Sequence, residues 1–206
     1  MEKFLALPEE KQKSITEAGF FCFGKLGYKK VSTGDIAMQA GISKAMLFHY
    51  FGSKKNLYLF LANKAFSTLM SAFREQYDPK LTDIFDKLDN LTACKVATLK
   101  KYPNLLAFLM GLYGETDAEV RPEIDELLQS GMTFRTNVVF TNGDVSKFKE
   151  GVDPVLVLKL LNRYSDGFVS TACNLCPEML DEMQAEFTQC LNLLKQNLYR
   201  EEYKEK

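Results

Sequence analysis

The segment from Asp35 to Lys54 constrains the fold of this chain more than any other, because it reads DIAMQAGISKAMLFHYFGSK. Gly41 follows a helix-favouring run, and glycine adopts the left-handed conformation that ends a helix without a steric penalty. Ser43 is a strong N-cap for a second helix that begins at Lys44. Two short helices joined by so tight a turn are typical of a helix-turn-helix, whose second helix enters the major groove of DNA.

Polar caps flank this pair of helices on both sides. Ser32 and Asp35 have the spacing of a capping box, which predicts that the first helix covers Thr33 to Ala40. Ser53 is a suitable cap for a third helix that begins at Lys54. Because the first N–H groups of a helix have no partner within it, a lysine at that helix end suits a phosphate.

The second helix has two different faces. Leu47 and Phe51 lie four residues apart and share a face with Ile42, so we expect them to pack inward. The positions on the other faces, together with the flanking caps, are the candidate DNA contacts. These are Ser32, Thr33, Lys44, Ala45, Met46, Phe48, His49, Tyr50 and Lys54.

Each of these assignments has a structural alternative. An exposed lysine is usually only solvated, which applies to Lys44 and Lys54. His49, the single histidine of the chain, could donate to a phosphate or a base edge, or it could be a merely exposed helical residue. Tyr50 could donate to a phosphate or pack its ring against the first helix while its hydroxyl meets solvent.

The stretch from Ile15 to Leu57 resembles the DNA-binding domain of the tetracycline-repressor family of bacterial regulators. The resemblance implies an all-α protein of about nine helices, with a three-helix DNA-binding domain over 1–53 and an effector-binding and dimerisation domain over 54–206. Two positions depart from the family pattern: Gly34 replaces a basic or polar residue, and Phe48 replaces a tyrosine. The matching residues are Ile15, Ala18, Phe23, Gly27, Tyr28, Ser32, Asp35, Ile36, Ala37, 40–44, 47–51, Ser53, Lys54 and Leu57.

Positive charge is concentrated around the motif. Residues 1 to 55 hold nine lysines and five acidic residues, a net charge of +4, whereas the rest of the 206-residue chain carries −5. Because affinity for DNA comes largely from neutralised phosphates, this local excess favours a nucleic-acid surface despite a total charge of −1. Apolar and charged contents of 46% and 26% are those of a globular protein and argue against disordered or fibrous classes.

Helical patterns continue along the remaining chain. The apolar run from Ile15 ends at Gly27, and a long helix is expected from Lys54 to about Tyr77, where Asp78 and Pro79 stop it. Further helices are predicted over about 80–101, 103–113, 118–140, 154–174 and 177–200.

The last two of these helices carry apolar stripes at steps of three and four residues. Either each stripe faces the core of its own domain, or the two form an assembly surface, as the family resemblance implies. A two-fold homodimer would present two reading helices to a near-palindromic DNA site. The stripes are Val157, Leu160, Leu161, Tyr164 and Phe168, then Leu180, Met183, Phe187, Cys190, Leu191, Leu194 and Leu198.

Aromatic residues of the larger domain could line an effector cavity, although each is more often a core residue. These are Tyr102, Phe108, Tyr113, Phe134, Tyr164 and Phe168.

Cys173 and Cys176 have CxxC spacing, but one pair without a nearby histidine does not complete a zinc site. We therefore expect buried thiols and no metal or cofactor.

The sequence favours a homodimeric transcription regulator, most simply a repressor that a small effector releases from its operator. No phosphate loop, nucleophile elbow or zinc motif indicates an enzyme. No membrane span or signal peptide is evident, so we expect a cytoplasmic protein with free thiols. The main alternative is a helical ligand- or partner-binding protein with a vestigial DNA-binding module. A helical enzyme is a third.

Overall fold

The computed structural model describes residues 2–171 and 177–204, without the side chains of 166–171, 177 and 178. Within these residues the fold is all-helical, as predicted, and an isolated antiparallel bridge between Phe148 and Tyr199 is the one β-type pairing. Two short 3₁₀ turns cover Val145–Lys147 and Glu201–Tyr203. The α-helices are α1 (Glu2–Leu5), α2 (Glu9–Lys30), α3 (Thr33–Gln39), α4 (Lys44–Phe51), α5 (Lys54–Gln76), α6 (Ile84–Lys101), α7 (Pro103–Gly114), α8 (Arg121–Phe140), α9 (Pro154–Thr171) and α10 (Pro177–Leu198).

The helices form two compact units. The first comprises Met1–Thr68 and Tyr102–Ser130, and the second comprises Leu69–Lys101 and Gly131–Lys206. Helices α5 and α8 contribute residues to both. The functional boundary that the sequence places after residue 53 stays a prediction.

In the first unit, α2 and α7 pack closely against each other. A Cβ on Gly24 would lie 2.8 Å from the backbone nitrogen of Phe108, so only glycine permits this approach. Around it lies an aromatic core in which Phe23 and Phe108 both contact Tyr58, with ring centres 4.9 and 5.4 Å away. Phe23 of α2 thus packs in one core with Tyr58 of α5 and Phe108 of α7, which joins the helix-turn-helix to α7.

Helix α2 ends differently from the expectation. It breaks at Gly27, with φ +73° and ψ 169°, but helical structure resumes and continues to Lys30. Leu26, the residue before the break, is exposed. The short helix α1 also went unpredicted, because one helical turn carries too few residues to show a period.

In the second unit, α6, α9 and α10 enclose an apolar core. Beside it, Asp83 is only 4% exposed and accepts hydrogen bonds from Lys147 Nζ at 2.8 Å and the Tyr199 hydroxyl at 3.1 Å. Lys195 Nζ lies 3.7 Å from the same carboxylate. The core residues are Ile84, Phe85, Leu88, Val139, Phe148, Val157, Leu158, Leu161, Phe187, Leu191 and Tyr199.

The two apolar stripes on α9 and α10 mostly face this core rather than an open surface. Val157, Leu161, Leu180, Phe187 and Leu191 are buried, which confirms the core alternative for them. Met183, Cys190, Leu194 and Leu198 are half-buried. By contrast, Leu160 and Tyr164 are 60% and 36% exposed. Apolar residues at helical spacing indicate the buried face of a helix, but they do not indicate which apolar residues remain exposed to solvent.

The cysteines that the structure describes are free thiols. Cys22 and Cys94 are buried, and burial raises the pKa of each thiol, as the sequence-based expectation of unreactive packing residues requires. Cys173 and Cys176 lie outside the described residues. Within the described part of the chain, no helix is long and apolar enough to cross a membrane.

Candidate DNA-binding interface

The predicted capping box at the start of α3 is confirmed. The Ser32 hydroxyl accepts a hydrogen bond from the Asp35 N–H at 3.1 Å, and the Asp35 carboxylate accepts one from the Ser32 N–H at 3.1 Å. The Ser32 hydroxyl also donates to the Asp35 carboxylate at 2.7 Å, and this bond, together with the one from the Ser32 N–H, holds the pKa of the Asp35 carboxyl below its usual range. The start of α3 is thereby fixed by residues within one turn of each other.

The turn between α3 and α4 also forms as predicted. Gly41 has φ +68°, and the Ile42 N–H donates to the Ala37 carbonyl at 2.9 Å. The Ser43 hydroxyl accepts from the Met46 N–H at 3.1 Å and caps α4. Helix α3 ends at Gln39, one residue earlier than expected. These short-range bonds fix the angle at which α4 leaves the turn.

Helix α4 has one anchored face and one open face. Leu47 and Phe51 are buried, as predicted. The open residues combine an ammonium group, apolar side chains and an imidazole, which can contact phosphates, thymine methyl groups and base edges respectively. The exposed residues are Lys44, Ala45, Met46, Phe48 and His49.

Lys44 and Phe48 lie next to each other on this open face. The Lys44 Nζ atom is 5.9 Å from the centre of the Phe48 ring, and the ring is 42% exposed. This contact pairs a cation with an apolar ring one helical turn later. Phe48 therefore contributes to the exposed face although it lacks the hydroxyl of the usual tyrosine.

The α3 flank adds Ser32, which is exposed, and Thr33, which is half-buried. Met38 is 78% exposed near the end of α3, and it was not predicted as a contact because it lies outside both caps and the second helix. Its position beside the turn adds an apolar side chain to the surface that α3 and α4 present.

Tyr50 packs inward rather than lying on the open face. It is 7% exposed, and its ring meets Phe4 of α1 edge-on at 6.4 Å between centres. The packing alternative therefore describes its ring, although the partner is α1, which the sequence did not predict. A phosphate contact from its hydroxyl stays a prediction.

Lys54 differs from the expectation of a phosphate ligand. Its Nζ atom donates to the Val31 carbonyl at 3.1 Å and lies 4.4 Å from the centre of the Tyr28 ring. The ammonium thus binds the C-terminal end of α2, where carbonyl groups lack helical partners. The reason is that α5 begins beside the end of α2, a tertiary contact that no local pattern specifies.

The structure divides the predicted effector-lining residues between the two units. Phe108 is 1% exposed in the core of the first unit, and Tyr102 of that unit is 42% exposed. In the second unit, the Tyr164 hydroxyl donates to Glu186 at 2.7 Å. Tyr113 and Phe134 are half-buried, and the side chain of Phe168 lies outside the described residues. Phe108 is a core residue, and the role of the others stays a prediction.

Residues 15–60 match the family model described as bacterial regulatory proteins, tetR family. This match covers α3, α4, the turn between them and parts of the helices on either side. The matched segment is a tetR-type helix-turn-helix. The chain is also 41% identical over 49 residues to the HTH-type transcriptional regulator BetI of Agrobacterium fabrum, covering 24% of each chain.

Longer similarities extend over both units of the chain. The fatty acid metabolism regulator protein of Bacillus subtilis is 22% identical over 161 residues, which cover 78% of this chain and 82% of the relative. A TetR family regulator from Chloroflexus aurantiacus is structurally similar with a TM-score of 0.71 and 21% identity, covering 97% of this chain and 98% of the other.

Two further solved structures share the fold. FadR of Bacillus subtilis, solved in complex with stearoyl-CoA, has a TM-score of 0.69 and 21% identity, covering 91% of this chain and 99% of FadR. SmeT, the repressor of a Stenotrophomonas maltophilia multidrug efflux pump, has a TM-score of 0.68 and 16% identity, covering 94% of each chain. At these identities the similarity establishes the architecture.

Proposed function

We propose that this protein is a homodimeric transcriptional repressor that a small-molecule effector releases from its operator DNA. The observation that carries the proposal is the exposed face of α4, which is held by a capped turn. An exposed helix face of this composition, on a helix-turn-helix, suits the major groove. The net charge of +4 over residues 1–55 supplies attraction to phosphates.

The homodimer part of the proposal is supported by an exposed apolar face on α9. Leu156, Leu160 and Tyr164 follow one another at four-residue steps and are 52%, 60% and 36% exposed. On α10, Met179 and Leu193 are 39% and 60% exposed on either side of Glu186, which accepts the Tyr164 hydrogen bond. Large open apolar residues at helical spacing are typical of an interface. We assign them to a second copy of the chain.

In this proposal, residues 1–53 read DNA and residues 54–206 bind the effector and dimerise. An effector need only prefer a conformation in which the two reading helices have the wrong spacing. A differential affinity of about 3 kcal/mol would shift operator occupancy by more than about a hundredfold. The regulator would act in the cytoplasm, where bacterial DNA is accessible.

Long-chain acyl-CoA thioesters are the first effector class to test. The support is the relation to the fatty acid metabolism regulator of Bacillus subtilis and to the stearoyl-CoA complex of FadR. A direct test is to titrate stearoyl-CoA into the complex of the protein with DNA and to measure release, with free coenzyme A as the control. Release by the thioester alone would support this class, and no release would exclude it.

The DNA itself can be found by selection from a random duplex library on the purified protein. If about eight phosphates are contacted per dimer, log affinity for the selected duplex should fall against log salt with a slope near about −7. The selected sites should be near-palindromic, because a two-fold dimer presents the same helix twice. Failure to enrich any sequence would favour the alternative, a ligand- or partner-binding protein with a vestigial module.

A further inference from the structure

The pair α3–α4 is joined to the rest of its unit around Tyr28. On the entry side, Tyr28 follows the break at Gly27 and lies just before Val31, which is 2% exposed. On the exit side, Lys54 begins α5 and returns to the same place, with its ammonium over the Tyr28 ring and bonded to the Val31 carbonyl. Both chain connections of the α3–α4 pair therefore meet at Tyr28.

A buried carboxylate holds Tyr28 from the segment between α7 and α8. Glu115 is 8% exposed, and its Oε2 atom accepts from the Tyr28 N–H at 3.2 Å and from the Tyr58 hydroxyl at 3.5 Å. Its Oε1 atom accepts from the N–H groups of Thr116 and Asp117, both at 2.9 Å. One carboxylate thus joins the end of α2, helix α5 and the α7–α8 connection.

Neighbouring residues of the same connection reinforce this contact. Glu119 accepts a hydrogen bond from the Tyr28 hydroxyl at 2.8 Å, and burial followed by this bond raises the pKa of Tyr28, so the hydroxyl keeps its proton and donates. Arg121 Nη1 donates to the Glu115 carbonyl at 2.6 Å and holds the main chain of the connection. Glu115 is therefore placed by local bonds before it reaches Tyr28.

We infer that Glu115 is a positioning residue for operator recognition: it fixes the end of α2, and through Tyr28 and Lys54 it sets the direction of α4. This inference rests on the proposed function and adds that the α7–α8 connection is the part of the chain that controls the reading helix. It also predicts that removal of this negative charge weakens DNA binding, which is opposite to the purely electrostatic effect. Removing an acidic charge from a protein that binds a polyanion should tighten binding through long-range electrostatics, whereas loss of positioning weakens it.

The test compares Glu115→Gln with wild type on duplexes selected by the wild-type protein. Glutamine has nearly the shape of glutamate, but its NH₂ group cannot accept a hydrogen bond. The two groups that donate to the replaced oxygen of Glu115 therefore lose their acceptor. We expect about tenfold weaker binding, the scale of a lost charge-assisted hydrogen bond.

A second measurement compares these duplexes with ones that carry one extra base pair between the half-sites. The variant should distinguish the two spacings less well than wild type, because a loosely held α4 adapts to the wrong spacing. A residue that only stabilises the fold would lower the active fraction and leave the spacing preference unchanged.

Two further variants keep the test decisive. Glu119→Gln replaces the charged acceptor of the Tyr28 hydroxyl with a neutral amide oxygen at an exposed position, and should weaken binding by about threefold if Glu115→Gln fails to fold. Glu126→Gln removes an equal charge from an exposed position of α8, and should leave affinity and spacing preference as in wild type. The inference is overturned if folded Glu115→Gln binds DNA with the affinity and spacing preference of wild type. If only Glu119→Gln folds, the same result for that variant overturns it. Failure of the wild-type protein to select DNA would instead refute the proposed function.

Discussion

The ammonium group of Lys54 lies 4.4 Å from the centre of the Tyr28 ring and donates a hydrogen bond to the Val31 carbonyl. Lys44, by contrast, is exposed on α4, with its Nζ atom 5.9 Å from the centre of the Phe48 ring. The two lysines that the sequence places together as phosphate ligands therefore have different surroundings, and their substitutions should have different effects.

Lys44→Ala should flatten the salt dependence of DNA binding, by about two in the slope of log affinity against log salt for a dimer, because each phosphate contact contributes about 0.9. Lys54→Met should weaken binding with the slope unchanged, because the ammonium bonds to protein carbonyls rather than to DNA. Fluorescence anisotropy titrations over a range of salt concentrations measure both. Equal flattening by the two substitutions would mean that Lys54 exchanges its carbonyl partners for a phosphate.

Phe48 should contact a thymine methyl group. Replacing thymine by deoxyuridine at the contacted position removes that methyl alone. Wild-type binding should weaken by about fourfold, because burial of one such group contributes about 0.8 kcal/mol to the binding free energy. Phe48→Ala should bind the two duplexes equally. A methyl effect of the same size in Phe48→Ala would assign the contact to another residue, with Met46 the nearest candidate on the open face.

Leu160→Glu should dissociate the proposed dimer, since Leu160 is 60% exposed and its replacement introduces charge into an apolar surface. The variant should sediment as a folded monomer and lose cooperative binding to the two half-sites. Leu5 is a matched control, because it is 59% exposed and belongs to the first unit. Leu5→Glu should leave the sedimentation coefficient unchanged. A dimeric Leu160→Glu would place the interface elsewhere.

Gly24 and Gly111 should respond oppositely to alanine. At Gly24 the new Cβ would lie 2.8 Å from the Phe108 nitrogen and 3.0 Å from Ala107, so Gly24→Ala should destabilise the protein by about 1–3 kcal/mol through overpacking. At Gly111, also within a helix, a Cβ meets nothing within 4 Å, and Gly111→Ala should stabilise by about 0.5–1 kcal/mol through backbone entropy. Thermal unfolding of both variants gives the comparison.

Asp83 should make stability depend on pH. Burial alone would raise its pKa, but the hydrogen bonds from Lys147 and the Asp86 N–H and the charges of Lys195 and Lys147 outweigh burial and lower it. Because the folded-state pKa lies below the unfolded value of about 3.9, this contribution is complete above about pH 4 and is lost as the pH falls through the folded value.

Asp83→Asn should therefore cost about 3 kcal/mol at pH 7, since it leaves two lysines near a neutral group, and the cost should shrink at pH 3. Asp181, paired with Lys100 at 2.6 Å but with 61% of its side chain exposed, is the control. Asp181→Asn should change stability by less than about 1 kcal/mol at either pH. Urea unfolding at the two pH values measures this, and a constant cost for Asp83→Asn would contradict the assignment.

The sequence specified the helix-turn-helix well because its determinants are local. The bonds of Ser32 with Asp35, the left-handed Gly41 and the Ser43 cap each involve residues within a few positions, and all three appear as expected. Glu115 shows the opposite case. Its bonds to Thr116 and Asp117 involve the next two residues of the chain, but its bond to Tyr28 spans 87 positions and leaves no periodic trace.

The apolar stripes of α9 and α10 illustrate a second limit. Their spacing indicated the faces that pack in the unit's own core, as at Leu161 and Phe187. The exposed Leu156 and Leu193 lie outside those stripes, because a helix with apolar residues on two faces gives one dominant period. Which face meets a second molecule depends on what the fold has already covered.

Because both chain connections of α3–α4 meet at Tyr28, the segment between Ser32 and Ser53 behaves as an exchangeable cassette. Another sequence placed between those two serines, with the buried residues such as Leu47 and Phe51 retained, would keep the same attachment and present new side chains at the same angle. Redirecting this regulator to a different operator would then require changes only in the exposed side chains of α4 and of its α3 flank.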